Sequence, residues 1–352
     1  MKQILLSKYR RFVRYVEIII AVLMLGLMYH FIPVNEGSRI LYLPSSDINE
    51  TVHILERNGY TVTPVDKLML MLQHTPQKGW YDLEDTREGR FLFFKNLHKK
   101  RARTMEVKVY AGETADELLE RLAADMKLDK AKLREAYRKR SRFQEADIFA
   151  GRYTLARKAD ENTTIQYLMD TSFGALEDFT EKYFQKPPDD FTLKVLLTIA
   201  SIIQKESNSA KEMPLISSVI HNRLTKGMKL QMDSTLNYGE HSHRIITSER
   251  IKNDTSYYNT YKYKGLPPSP LGTVTMDALK AAMSPAKSDY LFFMLNAKGE
   301  HDFSATYEEH LKNLRAFRAY LKEKKLAKAR EKNEKESKKS SGKKKGKKRT
   351  DS

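Results

Sequence analysis

Residues 196–207 read Leu-Leu-Thr-Ile-Ala-Ser-Ile-Ile-Gln-Lys-Glu-Ser. At about 100° per residue, Glu206 falls within roughly 20° of Ile199, 40° of Ile202 and 60° of Ile203 on a helical wheel. The acid therefore continues the apolar stripe instead of the solvated face. Working outward, Asp189 or Asp190 supplies an N-cap for a helix ending near Glu206. Pro214 stands where a first helical residue tolerates a missing N–H, and Gly227 where a left-handed C-terminal residue is wanted. Leu215, Ile216, Val219, Ile220 and Leu224 make one apolar face between them. Tyr290–Leu295 and His301–Ser304 read as a hairpin turned by 296–300. Thr306 and Glu309 form a capping-box pattern that opens a last helix. Residues 190–320 thus read as one mixed α+β domain.

The flanks differ. Ile18–Ile32 (IIIAVLMLGLMYHFI) is almost wholly apolar, and extending it to 16–34 admits only Glu17 and Pro33. That length suits a single bilayer crossing. Lys2, Lys8, Arg10, Arg11 and Arg14 precede it, so residues 1–15 are expected in the cytoplasm and the remainder outside it. A cleaved signal peptide or a buried core helix are the rival readings. The first is disfavoured by the lack of a small-x-small site after Phe31. Residues 39–91 and 105–155 resemble one another. Each places a short alternating strand before a turn and an amphipathic helix, and each closes on Gly-Arg-aromatic at Gly89 or Gly151. Thr51 and Thr114 stand 63 residues apart, the two glycines 62. Two repeated polymer-binding modules or two unrelated small α+β folds both fit. Residues 92–104 hold a basic cluster that reads as a solvated linker. From 321 to 352 the chain is Lys/Glu, then Lys/Ser/Gly, a disordered segment or a fraying helix extension.

The chain has 352 residues and a formal charge of +18, but that charge is concentrated at its ends. Residues 321–352 carry 15 Lys or Arg against 5 acids, and the first 15 residues carry 5 bases and no acid. The body between them is close to balanced, which argues against a nucleic-acid partner. No cysteine is present, so disulfides, thiolate metal sites and cysteine nucleophiles are excluded. His221, His301 and His310 show no zinc-binding spacing; no metal and no cofactor is expected.

A carboxyl on an apolar stripe is partly desolvated, and its neutral form is favoured. That is what a general acid near neutral pH requires. The same position also fits an acid that turns back to water at a helix end. Gln231, Asp233, Ser234 and Tyr238 lie in the polar run 230–239. Asn259 and Tyr261 lie in Tyr257-Tyr258-Asn259-Thr260-Tyr261, followed by Gly265-Leu266-Pro267-Pro268-Ser269-Pro270. Amides, carboxylates and hydroxyls interleaved with aromatic rings suit a sugar: the rings cover its C–H face and the polar groups take its hydroxyls. Tyrosines packed for stability in an irregular loop would give the same composition.

These strings carry a resemblance. ASIIQKES, HNRL with the following GM-LQ-D-T, YNTY with GLPP-P, ALKAAMSPAKSDYLFF and KGEHDFSATYEEH occur in order from about Ala200 to His310. Together they resemble the endolytic murein transglycosylases, the YceG-like or MltG family. Residues 39–172 resemble that family's LysM-like region more loosely, and its usual Glu-Gly stands here as Ala150-Gly151. The resemblance implies an α+β chain: an N-terminal transmembrane helix, LysM-like α+β modules, then a mixed α+β catalytic domain. It implies lytic cleavage between N-acetylmuramic acid and N-acetylglucosamine of peptidoglycan glycan strands, with Glu206 as catalytic acid. Gln231, Asp233, Ser234, Tyr238, Asn259 and Tyr261 are the expected substrate-binding residues. An inner-membrane location with a periplasmic catalytic domain follows, with peptidoglycan synthases as partners. A non-catalytic glycan scaffold remains a rival. So does a conventional hydrolase pairing Glu206 with Asp233 or Glu212.

Overall fold

The structure, a computed structural model, describes residues 2–34, 37–84, 89–207 and 209–347; the side chains of 2–5, 240, 329 and 331–347 are left undescribed. In chain order the elements are α1 (Lys2–Phe31), β1 (Ile40–Leu43), α2 (Ile48–Arg57), α3 (Pro64–Leu72), β2 (Gly79–Asp82), α4 (Arg90–Asn96), β3 (Thr104–Val109), α5 (Ala115–Met126), α6 (Lys130–Arg140), β4 (Gly151–Ala156) and α7 (Glu161–Tyr183). There follow α8 (Asp190–Glu206), α9 (Met213–Thr225), α10 (Asp233–Leu236), α11 (Ser248–Asn253), α12 (Met276–Met283), β5 (Phe292–Leu295), β6 (His301–Ser304) and α13 (Tyr307–Lys347). The chain divides into two compact units. One comprises Met1–Lys108, Leu119–Arg140 and Arg152–Ala175; the other comprises Val109–Leu118, Ser141–Gly151 and Leu176–Ser352.

The first unit contains a strand–helix–helix–strand arrangement whose outer strands pair antiparallel, Ile40 opposite Asp82 and Leu43 opposite Gly79. The same order recurs in β3, α5, α6 and β4, and β3 pairs with β4. The sequence similarity between 39–91 and 105–155 therefore has a structural counterpart, but its landmarks need correction. Gly151-Arg152-Tyr153 opens a strand, whereas Gly89-Arg90-Phe91 opens α4. The strand equivalent to β4 is Gly79-Trp80-Tyr81-Asp82. Likewise Thr114 accepts a hydrogen bond from the Glu117 N–H at the start of α5. Thr51 instead lies inside α2, whose cap is Asp47. A Gly-Arg-aromatic triplet fits a strand start and a helix start equally, so sequence alone could not separate them.

The core of this unit gathers Leu41, Leu43, Leu55, Tyr60, Leu70, Tyr81, Phe93, Phe94 and Leu97, with Val34 from just beyond α1. Each such side chain contributes roughly 1.5–3 kcal/mol when buried. Within this apolar setting sits an ion pair. Arg90 and Asp66 are 1% and 0% exposed and meet at 2.6 Å. The guanidinium also donates to the carbonyls of Pro33 at 3.0 Å and Thr61 at 2.7 Å. Asp66 completes a capping box with Thr63 at the start of α3. The pair thereby ties the exit from α1, the start of α3 and the start of α4 together.

In the second unit α8 packs against α9, α10 and α12. Leu197, Ile202, Ile203, Ile216, Val219, Ile220, Ala278 and Leu279 are fully buried. Asp189 caps α8 through the Thr192 N–H at 2.8 Å. Pro214 lies in the first turn of α9, and Gly227, at φ +62°, follows its C-cap. β5 and β6 form an antiparallel hairpin with Phe292 opposite Ser304. Thr306 and Glu309 make the reciprocal capping-box bonds. Gly272 runs against the backbone of Glu113, where a Cβ would lie 2.5 Å from the carbonyl oxygen. That close approach lets Thr273 exchange backbone hydrogen bonds with Gly112 and Glu113. α13 continues through Lys347, the helix-extension alternative for the basic tail; residues 348–352 lie outside the described residues.

α1 begins well before residue 16 and ends at Phe31, so Pro33 and Val34 lie beyond the helix. Leu6–Phe31 is long and apolar enough to cross a membrane, with a mean hydropathy of 1.9 over an 18-residue window.

Removing one partner of a buried ion pair leaves the other charge unpaired, at a cost of about 3–5 kcal/mol. Arg90→Met and Asp66→Leu are each expected to lower stability by that order. The double variant should lose less than either single one. The only tryptophan, Trp80, is buried in this unit, so its emission during denaturant unfolding provides the measurement.

Candidate active site

Glu206 is the last residue of α8, where opposing influences act on its carboxyl. It is partly exposed at its surface but deeply set among protein atoms. Burial is the largest cause of its raised pKa, and the charge of Asp233 pushes in the same direction. The negative end of the α8 dipole also disfavours a carboxylate there. Against these, the Ser234 N–H, which donates to Glu206 Oε1 at 3.2 Å, the Ser234 hydroxyl and His301 favour the ionised form. The net direction is upward, so the proton is held more tightly than by a solvated glutamate.

The groups facing Glu206 are positioned by a polar framework. On α8 itself, the buried side chains of Ser201 and Gln204 hold the stretch after the proline-rich loop. Ser201 Oγ accepts from the Leu271 N–H at 2.9 Å. Gln204 Oε1 accepts from the Thr275 N–H and hydroxyl at 3.1 and 2.7 Å. Thr260 stitches the polar run to the tyrosine run: its hydroxyl meets the Met232 N–H at 3.1 Å and Thr235 Oγ1 at 2.9 Å, and its carbonyl accepts from the Gln231 N–H. Gln231 is exposed and sits at φ +50°, a backbone region uncommon for a non-glycine residue.

The expected site residues fall into distinct groups. Asp233, Ser234 and Tyr261 gather about Glu206. The Tyr261 hydroxyl donates to Asp233 Oδ1 at 2.5 Å, and its pKa is raised by burial, by that bond and by the charges of Asp233 and Glu206. Asn259 is fully buried, donating to the carbonyls of Ile251 and Asp254 and accepting from the Tyr261 N–H. Its polar atoms are committed to holding the loop that presents Tyr261. Tyr238 faces a different acid. Its hydroxyl donates to Glu145 Oε1 at 3.2 Å, and its ring lies 4.7 Å from that of Tyr258. An open depression of about 210 Å³ runs beside these two rings, bounded by Thr235, His241 and Ser256.

Glu145 escaped sequence reading. It lies in an irregular stretch with Gln144 and Ala146 at positive φ, and its partner Tyr238 is 93 residues away. Burial pushes its carboxyl up to about 7, and nearby Asp147 adds to this. The Ala115 N–H, the Tyr238 hydroxyl and the charge of Lys205 pull it back. Lys205, next to Glu206, is itself lowered by burial and sustained by Glu117 and Glu145.

Of the other acids considered for catalysis, Glu212 is engaged. It accepts from the His301 N–H at 2.8 Å and meets His301 Nδ1 at 2.9 Å, fixing the start of β6. His221 Nε2 lies 3.1 Å from the Ala282 carbonyl, a structural contact. Among the described residues no three His, Asp or Glu side chains converge as a metal set.

Residues 43–316 match the model of the YceG-like family. The chain belongs to the YceG-like family. It is similar to an endolytic murein transglycosylase of Bacillus subtilis, 35% identical over 156 residues that cover 44% of this chain and 43% of the relative. It is also similar to one of Streptococcus pneumoniae, 31% identical over 177 residues covering 48% and 31%. The match thus spans less than half the length of these curated relatives. A crystal structure of a yceG-like protein from Listeria monocytogenes resembles the fold with a TM-score of 0.50 at 24% identity, covering 79% of this chain and 99% of that one.

Glu145 yields a pH dependence. Its folded-state pKa, about 7, exceeds the ordinary 4.5, so the neutral form is favoured by folding. That stabilisation is complete below the ordinary value and is lost as pH rises through the folded value. Calorimetric melting should therefore show stability falling between about pH 5 and pH 8. Glu145→Gln should flatten part of that fall; the rest belongs to Glu206, which shifts in the same direction.

Proposed function

We propose that this protein is a membrane-anchored endolytic murein transglycosylase that limits the elongation of nascent peptidoglycan strands. The observation that carries the reading is the deeply set carboxyl at the end of α8, Glu206, held toward its neutral form beside Asp233 and Tyr261. Family membership and the activity named for the Bacillus and Streptococcus relatives support it.

In this reading the neutral Glu206 gives its proton to the glycosidic oxygen between N-acetylmuramic acid and N-acetylglucosamine as the C1–O bond breaks. The resulting carboxylate then takes the proton of the muramoyl C6 hydroxyl, whose oxygen closes onto C1. The product carries a 1,6-anhydro end, Glu206 regains its proton and no water is consumed. One carboxyl serves both steps, unlike the paired acids of most glycosidases. The Ser234 N–H steadies the carboxylate between the steps. Gln231, Asp233 and Tyr261 are assigned to sugar positioning, and the Tyr238–Tyr258 pair offers a ring surface for a neighbouring sugar.

α1 is assigned as a single-pass anchor in the bacterial inner membrane, with the basic N-terminus cytoplasmic and the catalytic unit periplasmic. The 39–172 region is assigned as LysM-like glycan-binding modules. Synthases that polymerise the same glycan are the proposed neighbours.

A second reading rests on Asp233, an exposed carboxylate whose charge acts on Glu206. As a general base for water it would make the protein a hydrolase.

Glu206→Gln is expected to abolish strand cleavage while leaving the melting temperature and glycan binding close to those of the parent. The amide is nearly isosteric but neither gives nor takes a proton, and each lost transfer costs about 10²–10⁴-fold in rate. Asp233→Asn and Tyr261→Phe should reduce cleavage less. Comparable release of muropeptides by a well-folded Glu206→Gln would remove Glu206 from the mechanism.

A further inference from the structure

In the first unit, α3 and α4 bury Leu70, Phe93 and Phe94, yet each also buries a charged residue and leaves large apolar ones exposed. A surface helix of a soluble domain buries its apolar stripe and exposes its charges. α3 reads Pro-Val-Asp-Lys-Leu-Met-Leu-Met-Leu, and its acid, Asp66, is buried along with Leu70. Val65, Leu68, Met71 and Leu72 point outward, with Leu68 52% and Leu72 77% exposed. On α4 the charged Arg90 is buried, while Phe91 and Leu92 remain 39% and 38% exposed. Six large apolar side chains on two short neighbouring helices exceed the scattered exposure normal for a soluble surface.

The position of this face selects its occupant. The last turn of α1 is bound to the same two helices. The Tyr29 hydroxyl donates to Asp66 and lies 3.5 Å from Met69 Sδ. His30 packs so closely on Gly89, just before α4, that a Cβ there would fall 2.3 Å from the ring. α1 leaves Met28 and Phe31 exposed at this end, and Ile32 just beyond it is exposed as well. The open face of α3 and α4 thus adjoins the apolar surface of the one described helix fit to cross a bilayer. Lys95 lies at its margin, its ammonium 5.7 Å from the Phe91 ring, and Lys67 follows Asp66 on α3. Lysines with apolar stems along a hydrophobic face and charges at its edge suit an anionic headgroup layer.

We propose that the exposed faces of α3 and α4 lie in the boundary between headgroups and acyl chains of the bilayer that α1 crosses. The buried Arg90–Asp66 pair and the Tyr29 bond fix the two helices to the end of α1. The first unit is then held on the membrane surface in one orientation instead of swinging on a linker. This rests on the reading of α1 as an anchor.

The absence of cysteine allows a single labelled cysteine at any site. The full-length protein, reconstituted in dilute phosphatidylethanolamine–phosphatidylglycerol vesicles, is labelled with an environment-sensitive NBD fluorophore at Leu72→Cys, Leu92→Cys, Leu25→Cys within α1, or Glu120→Cys on the exposed side of α5. The proposal expects blue-shifted emission at 72 and 92, quenched several-fold by nitroxide-bearing lipid and little by aqueous iodide, with the reverse at 120. Lipid contact at 25 with aqueous behaviour at 72 and 92 overturns the proposal and leaves the anchor standing. A blue shift at 72 and 92 without lipid quenching also overturns it, since another protein surface then covers the face. An aqueous signal at 25 removes both readings.

Discussion

The burial of α8 places a carboxylic acid where water cannot fully solvate it. Leu197, Ile202 and Ile203 have no exposed surface, and the helix packs against α9 and α12. Glu206, the last residue of α8, is carried by it into this environment. The polar residues of α8 follow the same constraint. Ser201 and Gln204 are buried, must be satisfied, and are satisfied by the backbone that follows the proline-rich loop. The arrangement of the loops about Glu206 is thus dictated largely by the need to bury this one helix without orphaning its polar groups.

The carboxyl is held between opposing influences. Burial, Asp233 and the helix dipole favour the proton; the Ser234 N–H and hydroxyl and His301 favour its loss. A group that must first give and then recover a proton works best when neither state is deeply preferred. Glu145 and Lys205 extend the same logic along the adjacent surface, where a buried acid and a buried base each soften the other's desolvation.

The helical framework of the second unit was legible in the sequence because its signals are local. Asp189, Pro214, Gly227 and the Thr306–Glu309 pair each act within one turn of the helix they begin or end. Glu206 was legible because helical periodicity puts it on the apolar stripe. Glu145 was not, since its environment depends on Ala115, Tyr238 and Lys205 from separate parts of the chain and its own segment has no period. Asn259 was misleading for a related reason: an amide among tyrosines looks available to a sugar until burial reveals that it braces the loop. The buried Arg90–Asp66 pair was equally hidden, because the sequence records two charges 24 residues apart and not the core that encloses them. The strand–helix–helix–strand order recurs along the chain, but the Gly-Arg-aromatic triplets do not align in it, as such triplets do not specify what they begin.

The central claim is that one carboxyl drives an intramolecular ring closure. Digestion of purified glycan strands by the full-length protein in water enriched in oxygen-18, with the released ends resolved by mass spectrometry, tests it most directly. The account predicts 1,6-anhydromuramoyl ends carrying no heavy oxygen. Reducing ends labelled with oxygen-18 would contradict it and assign Glu206 and Asp233 to hydrolysis.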